Sequence, residues 1–227
     1  MILGIHQPQY LPWLPYYSKI SQSNIFVFLD NVQFQKNGLH NRNEVINSNG
    51  RFWLTVPVDA KLGDSLSEVN IINNGWEKKH TKSLRMNYSK AKNFEFYEKY
   101  IEPQILKKYK RLIDLNIALI RTISENFFGL KVEFIKQSEI ACNEKGSNLI
   151  LEICNKLKAK KYISGLGGKN YLNEMDFKKK NIEVMYLKND LPKTYNQVYS
   201  KNGFINDVSA LDFILNSGPG WENYYKL

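Results

Sequence analysis

Hydrophobic positions near the start of the chain fall into two short runs. Ile2 to Ile5 is the first and Ile25 to Leu29 the second, and both read as β-strands. The second run is continuous rather than alternating, the pattern of a strand covered on both faces. Between them Trp13 to Ser23 reads as a short helix, with Pro15 tolerated in its first turn. Strand, helix, strand within thirty residues is a βαβ unit, right-handed by default. The alternation resumes after Gly129. "KVEFI" predicts a strand, "GSNLILEICNKLKA" a helix, "KYISG" a strand, "NYLNEMDFKKKN" a helix and "IEVMYL" a strand. This rhythm predicts an α/β fold, with a mostly parallel sheet and helices on both faces.

The middle of the chain follows other rules. Asn31 to Asn43 is polar and irregular. "EVINSNGRFWLTVPV" predicts a β-hairpin turning at Asn49-Gly50, and Asp59 to Ser65 predicts a loop. Helices dominate from Trp76 to about Phe128, where Leu115, Leu119, Ile123 and Phe127 form one stripe. A last helix is expected from about Val208 to Asn216, stopped by Ser217-Gly218-Pro219-Gly220. Residues 1–227 are thus expected to form a single α/β domain, with 76–128 as a helical lobe or side layer.

Composition narrows the function classes. The chain is 43% hydrophobic and carries a formal charge of +10, from 32 basic and 22 acidic residues. That balance favours anionic partners such as phosphorylated metabolites. It is also compatible with peripheral association at the inner membrane. The lysines are dispersed ("WEKKHTK", "LKKYKR", "FKKKN"), as on solvated helix faces. Nucleic acid is not expected as a partner, since no recognition motif or stacking pattern accompanies the charge. Fourteen tyrosines suit either a polar pocket or simply a basic, Asn/Lys-rich composition that favours tyrosine generally. Cys142 and Cys154 share no metal-type spacing with His6, His40 or His80, so no metal is implied. They read as reduced thiols, and with no secretory signal or membrane-length apolar run the expectation is a cytoplasmic protein.

In open α/β sheets, ligands bind outside the carboxyl ends of the strands. His6 follows the first strand, Asp30 the second, and Ser164 and Gly165 the "KYI" strand. His6 reads as a general acid or base, because its ordinary pKa lies near neutrality, or as a structural histidine. Asp30 could orient an imidazole, hold an amine or cap a turn. "YISGLGGKNYL" has the strand, glycine loop, helix layout that can cradle phosphate, yet it is neither G-x-G-x-x-G nor a P-loop. Lys169 lies in that loop. "KNGLHNRN" places Lys36, His40, Asn41 and Arg42 where a phosphate or carboxylate could be held. Trp76, His80, Leu84 and Tyr88 share one helical stripe, so His80 faces inward, toward core or a pocket wall. "PKTYNQ" offers Lys193, Tyr195 and Gln197 as hydrogen-bonding groups for a sugar.

The segments "IHQPQYLPW", "FVFLDNVQFQKNGLHNRN", "WLTVPV", "WEKKH", "YISGLGGKNYL", "YNQ" and "SALDFILNSGPG" resemble the WbqC-like family in order and spacing, over almost the whole chain. Gln9 fits the family's HQPxYLPW motif. The resemblance implies a role in bacterial O-antigen or surface-polysaccharide synthesis, with transfer of glycine or a related acyl group to an amino sugar. The substrate would be a nucleotide-linked (dTDP- or UDP-type) amino sugar. The acyl donor is unassigned, because no folate-, CoA- or ATP-specific motif is present, and no flavin is implied. Matching motif positions are His6, Gln7, Pro8, Tyr10, Trp13, Asp30, Gln33, Asn41, Arg42, His80, Ser164, Gly165 and Gln197. A weaker likeness in fold alone is to nucleotidyltransferase-type Rossmann-like domains. There Gln9 would replace the second phosphate-embracing histidine, which speaks for nucleotide binding rather than adenylyl transfer. A non-catalytic nucleotide-sugar-binding partner of a glycosyltransferase is the alternative expectation.

Overall fold

Nine strands occur among the described residues of the computed structural model, which covers 1–188, 192–199, 201 and 203–225. They are β1 (Ile2–His6), β2 (Ile25–Phe28), β3 (Arg42–Asn47), β4 (Gly50–Thr55), β5 (Val58–Asp59), β6 (Asn70–Ile71), β7 (Glu133–Lys136), β8 (Lys161–Ser164) and β9 (Glu183–Tyr186). Five of them make one parallel sheet in the order β7-β2-β1-β8-β9. The first strand of the chain is therefore the central one. From β1 the chain winds outward through β2 to β7, then crosses back to place β8 on the other side of β1. The order reverses between β1 and β8, and a crevice opens there beyond the strand ends.

Both faces of the sheet are covered. Leu3, Ile5, Val27 and Tyr162 point to one side, where Leu149, Ile150 and Ile153 of the Gly146–Lys156 helix and Phe177 of the Glu174–Lys179 helix meet them. Phe26 and Phe28 point to the other, against Tyr16 and Tyr17 of the Leu14–Ser21 helix. This alternation is the period of two that a pleated strand imposes. Each such fully buried side chain stabilises the fold by roughly 1.5–3 kcal/mol. The Trp76–Tyr88 and Leu112–Asn126 helices share this second core. No helix among the described residues is long and apolar enough to cross a membrane.

Two local expectations are corrected. The hairpin is present, but Asn47 pairs with Gly50, so the turn residues are Ser48 and Asn49 rather than Asn49-Gly50. Gly50 takes φ +105° as the residue that closes the turn, a conformation that favours glycine. "NYLNEMDFKKKN" is helical only over Glu174–Lys179, with a tight turn over Leu166–Asn170 before it. The short β5–β6 pair flanking the 60–65 loop had no alternating run long enough to announce it.

Candidate functional site

A cleft of about 360 Å³ lies at the strand-order reversal, lined by His6 and Gln7 after β1, Leu29 after β2 and the Gly165–Gly168 loop after β8. Tyr162 and Tyr171 contribute aromatic walls, and Lys19 reaches in from the Leu14–Ser21 helix. Sheet topology thus brings His6, Gln7 and Gly165 together, as the order of strands predicts.

His6 donates Nδ1–H to the Gln7 carbonyl at 3.0 Å, which leaves Nε2 as the unprotonated, accepting nitrogen. The Tyr16 ring meets the imidazole edge-on at 4.9 Å. Burial, then the Lys19 charge and more weakly His40, push the His6 pKa down to about 3. The expectation of titration near neutrality is therefore overturned: the ring is neutral at pH 7.

Gln7 is oriented by a relay. The Gln35 backbone N–H donates to His40 Nδ1 at 3.1 Å, so His40 Nε2–H donates to Gln7 Oε1 at 2.9 Å. Burial lowers His40 to about 4, which keeps that tautomer neutral. The amide end of Gln7 is then left as a donor. The loop itself is pinned by Asn116, whose Nδ2 donates to the carbonyls of Pro8 (3.2 Å) and His40 (2.8 Å). Tyr10 N–H bonds the Leu39 carbonyl and Asn43 Nδ2 bonds that of Leu11. Asn116 is a polar residue on the buried face of its helix, a signal "LIDLNIAL" carried and periodicity passed over.

Lys19 is the main residue sequence reasoning missed. It is 5% exposed, donates to the Ile5 carbonyl at 3.2 Å, and has no carboxylate in ion-pair range among the described residues. Burial lowers its pKa to about 8. A side chain on Gly165 would place its Cβ 4.0 Å from the ammonium. One signal was available: Leu14 to Ile20 is buried all round, so its helix has no wet face for a lysine.

Several expected site residues lie elsewhere. Asp30 is buried, and its carboxylate accepts the Ser138 backbone N–H (2.9 Å) and hydroxyl (2.6 Å), tying the end of β2 to the end of β7 rather than orienting His6. His80 is a core joint: Tyr10 O–H donates to its Nδ1 at 2.9 Å, and Nε2–H donates to the Thr55 carbonyl at 3.1 Å. Burial lowers it to about 4. Asn41 donates to the Val56 carbonyl. Arg42 stacks 4.3 Å over Trp53 and donates to the Asn37 carbonyl, while Lys36 and Gln33 are exposed. Lys169 is exposed over the Tyr186 ring. Trp13 lines a small crevice with Pro192 and Tyr195. Gln9 is buried, its Oε1 without a partner among the described residues. Ser164 is buried and bonds the Gly165 carbonyl; a Cβ at Gly168 would fall 1.9 Å from its hydroxyl, so the loop can close over β8 only with glycine there.

Tyr195 and Gln197 belong to a second polar cluster. Asp212 accepts Tyr195 O–H (2.7 Å), Gln197 Nε2–H (2.8 Å), Tyr88 O–H (2.9 Å) and Asn216 Nδ2–H (3.2 Å). Burial raises its pKa and these donors oppose the shift. The sugar-binding expectation for Tyr195 and Gln197 fails because both are spent on this carboxylate.

Fold and cleft together define an α/β protein with its candidate site at the reversal of strand order. The model of the WbqC-like protein family matches residues 7–223, and the chain belongs to that family. It is 28% identical over 227 residues to the uncharacterized protein Rv1507c of Mycobacterium tuberculosis, covering 99% of this chain and 97% of that protein. No solved structure gives a significant match.

Proposed function

We propose that the cleft catalyses amide formation on the amino group of a nucleotide-linked amino sugar, by acyl or aminoacyl transfer. The observation that carries this reading is a His6 that lines the cleft at the strand-order reversal with its Nδ1–H committed to the Gln7 carbonyl, so that Nε2 is left as the accepting nitrogen. The sugar amine attacks the carbonyl carbon of an activated acyl donor. The C–N bond forms, the bond to the donor's leaving group breaks, and the amine proton passes to Nε2 and then to the leaving group. Gln7, held through its Oε1 by His40, presents its amide N–H groups to substrate oxygens. Tyr171, exposed on the rim, supplies a flat wall on which a base or sugar ring can lie.

The test is to incubate pure protein with dTDP- and UDP-linked amino sugars and a panel of acyl and aminoacyl donors, and to read product mass. A mass gain equal to one acyl group is the expected result. His6→Ala should then lower turnover by about 10² or more. Unchanged turnover in that variant removes His6 from the chemistry.

A further inference from the structure

Lys19 stands out because no carboxylate among the described residues pairs with it. Its ammonium has three N–H donors, and one is used, on the Ile5 carbonyl. Burying an unpaired charge is costly, and proteins rarely keep one without a use for it. The side chain lines the cleft, where a Cβ built on Gly165 would stand 4.0 Å from the ammonium; Gly165 offers backbone and no side chain there. Gly167, also on that rim, has open space where a Cβ would stand. A tetrahedral anion can therefore approach both the ammonium and the loop backbone at once. A compact point charge facing side-chain-free backbone suits phosphoryl oxygens. His6, on the same wall, is neutral and so adds no competing charge.

We infer that Lys19 is the phosphate anchor of this cleft, seating one phosphoryl group between its ammonium and the Gly165–Gly168 loop. This deepens the proposed function and rests on the cleft being the ligand site. Its consequence for the neighbouring histidine is electrostatic. The Lys19 charge helps hold His6 down. A phosphoryl group seated on Lys19 offsets that field and raises the basicity of Nε2. Lys19 then acts on the reaction through the anion, and His6 becomes a better proton acceptor when substrate is bound. Among the described residues, the other titratable groups that line the cleft or act on His6 are His40, Tyr162 and Tyr171, with Tyr16 against the His6 ring, and none of them is an acid ionised at pH 7.

Calorimetry with inorganic pyrophosphate on the full chain, wild type and Lys19→Met, is the direct experiment. Wild type should bind, and the variant should bind at least about tenfold more weakly, the lower range for loss of one charged hydrogen bond. Acetate and glycine, as carboxylate probes, should bind neither. A second readout does not depend on the variant: the Lys19 Cε resonance, titrating near pH 8 in the free protein, should move to higher pH with pyrophosphate. Equal pyrophosphate affinity in both proteins, no binding to wild type at millimolar concentration, or an unmoved Lys19 titration overturns the anchor. If nucleotide sugars bind and react while Lys19→Met is unaffected, the transferase reading stands without it. If pyrophosphate binds through Lys19 but no acylated product forms with any donor, the anchor stands and the transferase reading falls.

Discussion

Lys19 and Asp212 are both buried charges on short helices, 5% and 1% exposed. Their surroundings differ. Asp212 is met by four donors from four side chains, and Tyr88 O–H in turn accepts the Ile46 backbone N–H, so the carboxylate ties the C-terminal helix to β3 and to the Trp76–Tyr88 helix. Lys19 has one carbonyl and an open cleft. A charge whose hydrogen-bonding capacity is filled by its own chain is architecture. A charge left with capacity to spare, facing a cavity, is available to a ligand. The same contrast separates His80, bonded at both nitrogens, from His6, bonded at one.

Removing the filled charge should be the more damaging change. Asp212→Ala leaves Tyr195, Gln197 and Tyr88 without their acceptor, and we expect a loss of about 3–5 kcal/mol in chemical denaturation. A loss below about 1 kcal/mol would dissolve the distinction drawn here. Acid is the next lever. His6, His40 and His80 are held at about 3, 4 and 4 in the native state, against 6.5 unfolded. The unfolded chain then binds more protons, so this stability is full above pH 6.5 and is lost as pH falls toward the native values. Each histidine should contribute about 1–2 kcal/mol of loss between pH 6.5 and 5, read from denaturation midpoints across that range. Tyr10→Phe strips the donor from His80 Nδ1 and should cost about 1 kcal/mol. Lys19→Met is the smallest effect and opposite in sign: stability should hold or rise by about 1 kcal/mol, since an unpaired buried charge is exchanged for an apolar chain.

The sheet was legible because continuous apolar runs and their spacing depend on local sequence alone. Ile2, Ile25, Lys161 and Glu183 all begin strands within a residue or two of where periodicity puts them. His6 and Gly165 followed, since a strand's end is where a parallel sheet opens. What could not be read were partners distant in sequence. Asp30 has Ser138, 108 residues away, as its occupant. Gln197 looked free in "YNQ" because Asp212 lay inside what read simply as a last helix. The lowered basicity of His6 is likewise made by the fold, by burial first and then by the Lys19 charge. Motif matching carried Tyr10, Asn41 and His80 into the candidate set for a different reason. They hold the loop and hairpin that shape one side of the molecule, and structural joints can define a family as firmly as chemistry does.

The placement of β1 has a consequence for how the chain acquires its form. Its neighbour on one side, β2, begins about twenty residues on, but its neighbour on the other spans Lys161–Ser164. During synthesis the first strand can pair on one edge almost at once, and must keep the other edge unpaired until the chain has reached Lys161. Such late closure is slow, because the entropy of a long loop is lost before the contact rewards it. Crossing from one half of the sheet to the other also completes the cleft, since β1 and β8 supply its two rims. The last sheet pairing to form beside β1 and the completion of the cleft are one event, so a nascent chain has no finished cleft before its centre is sealed.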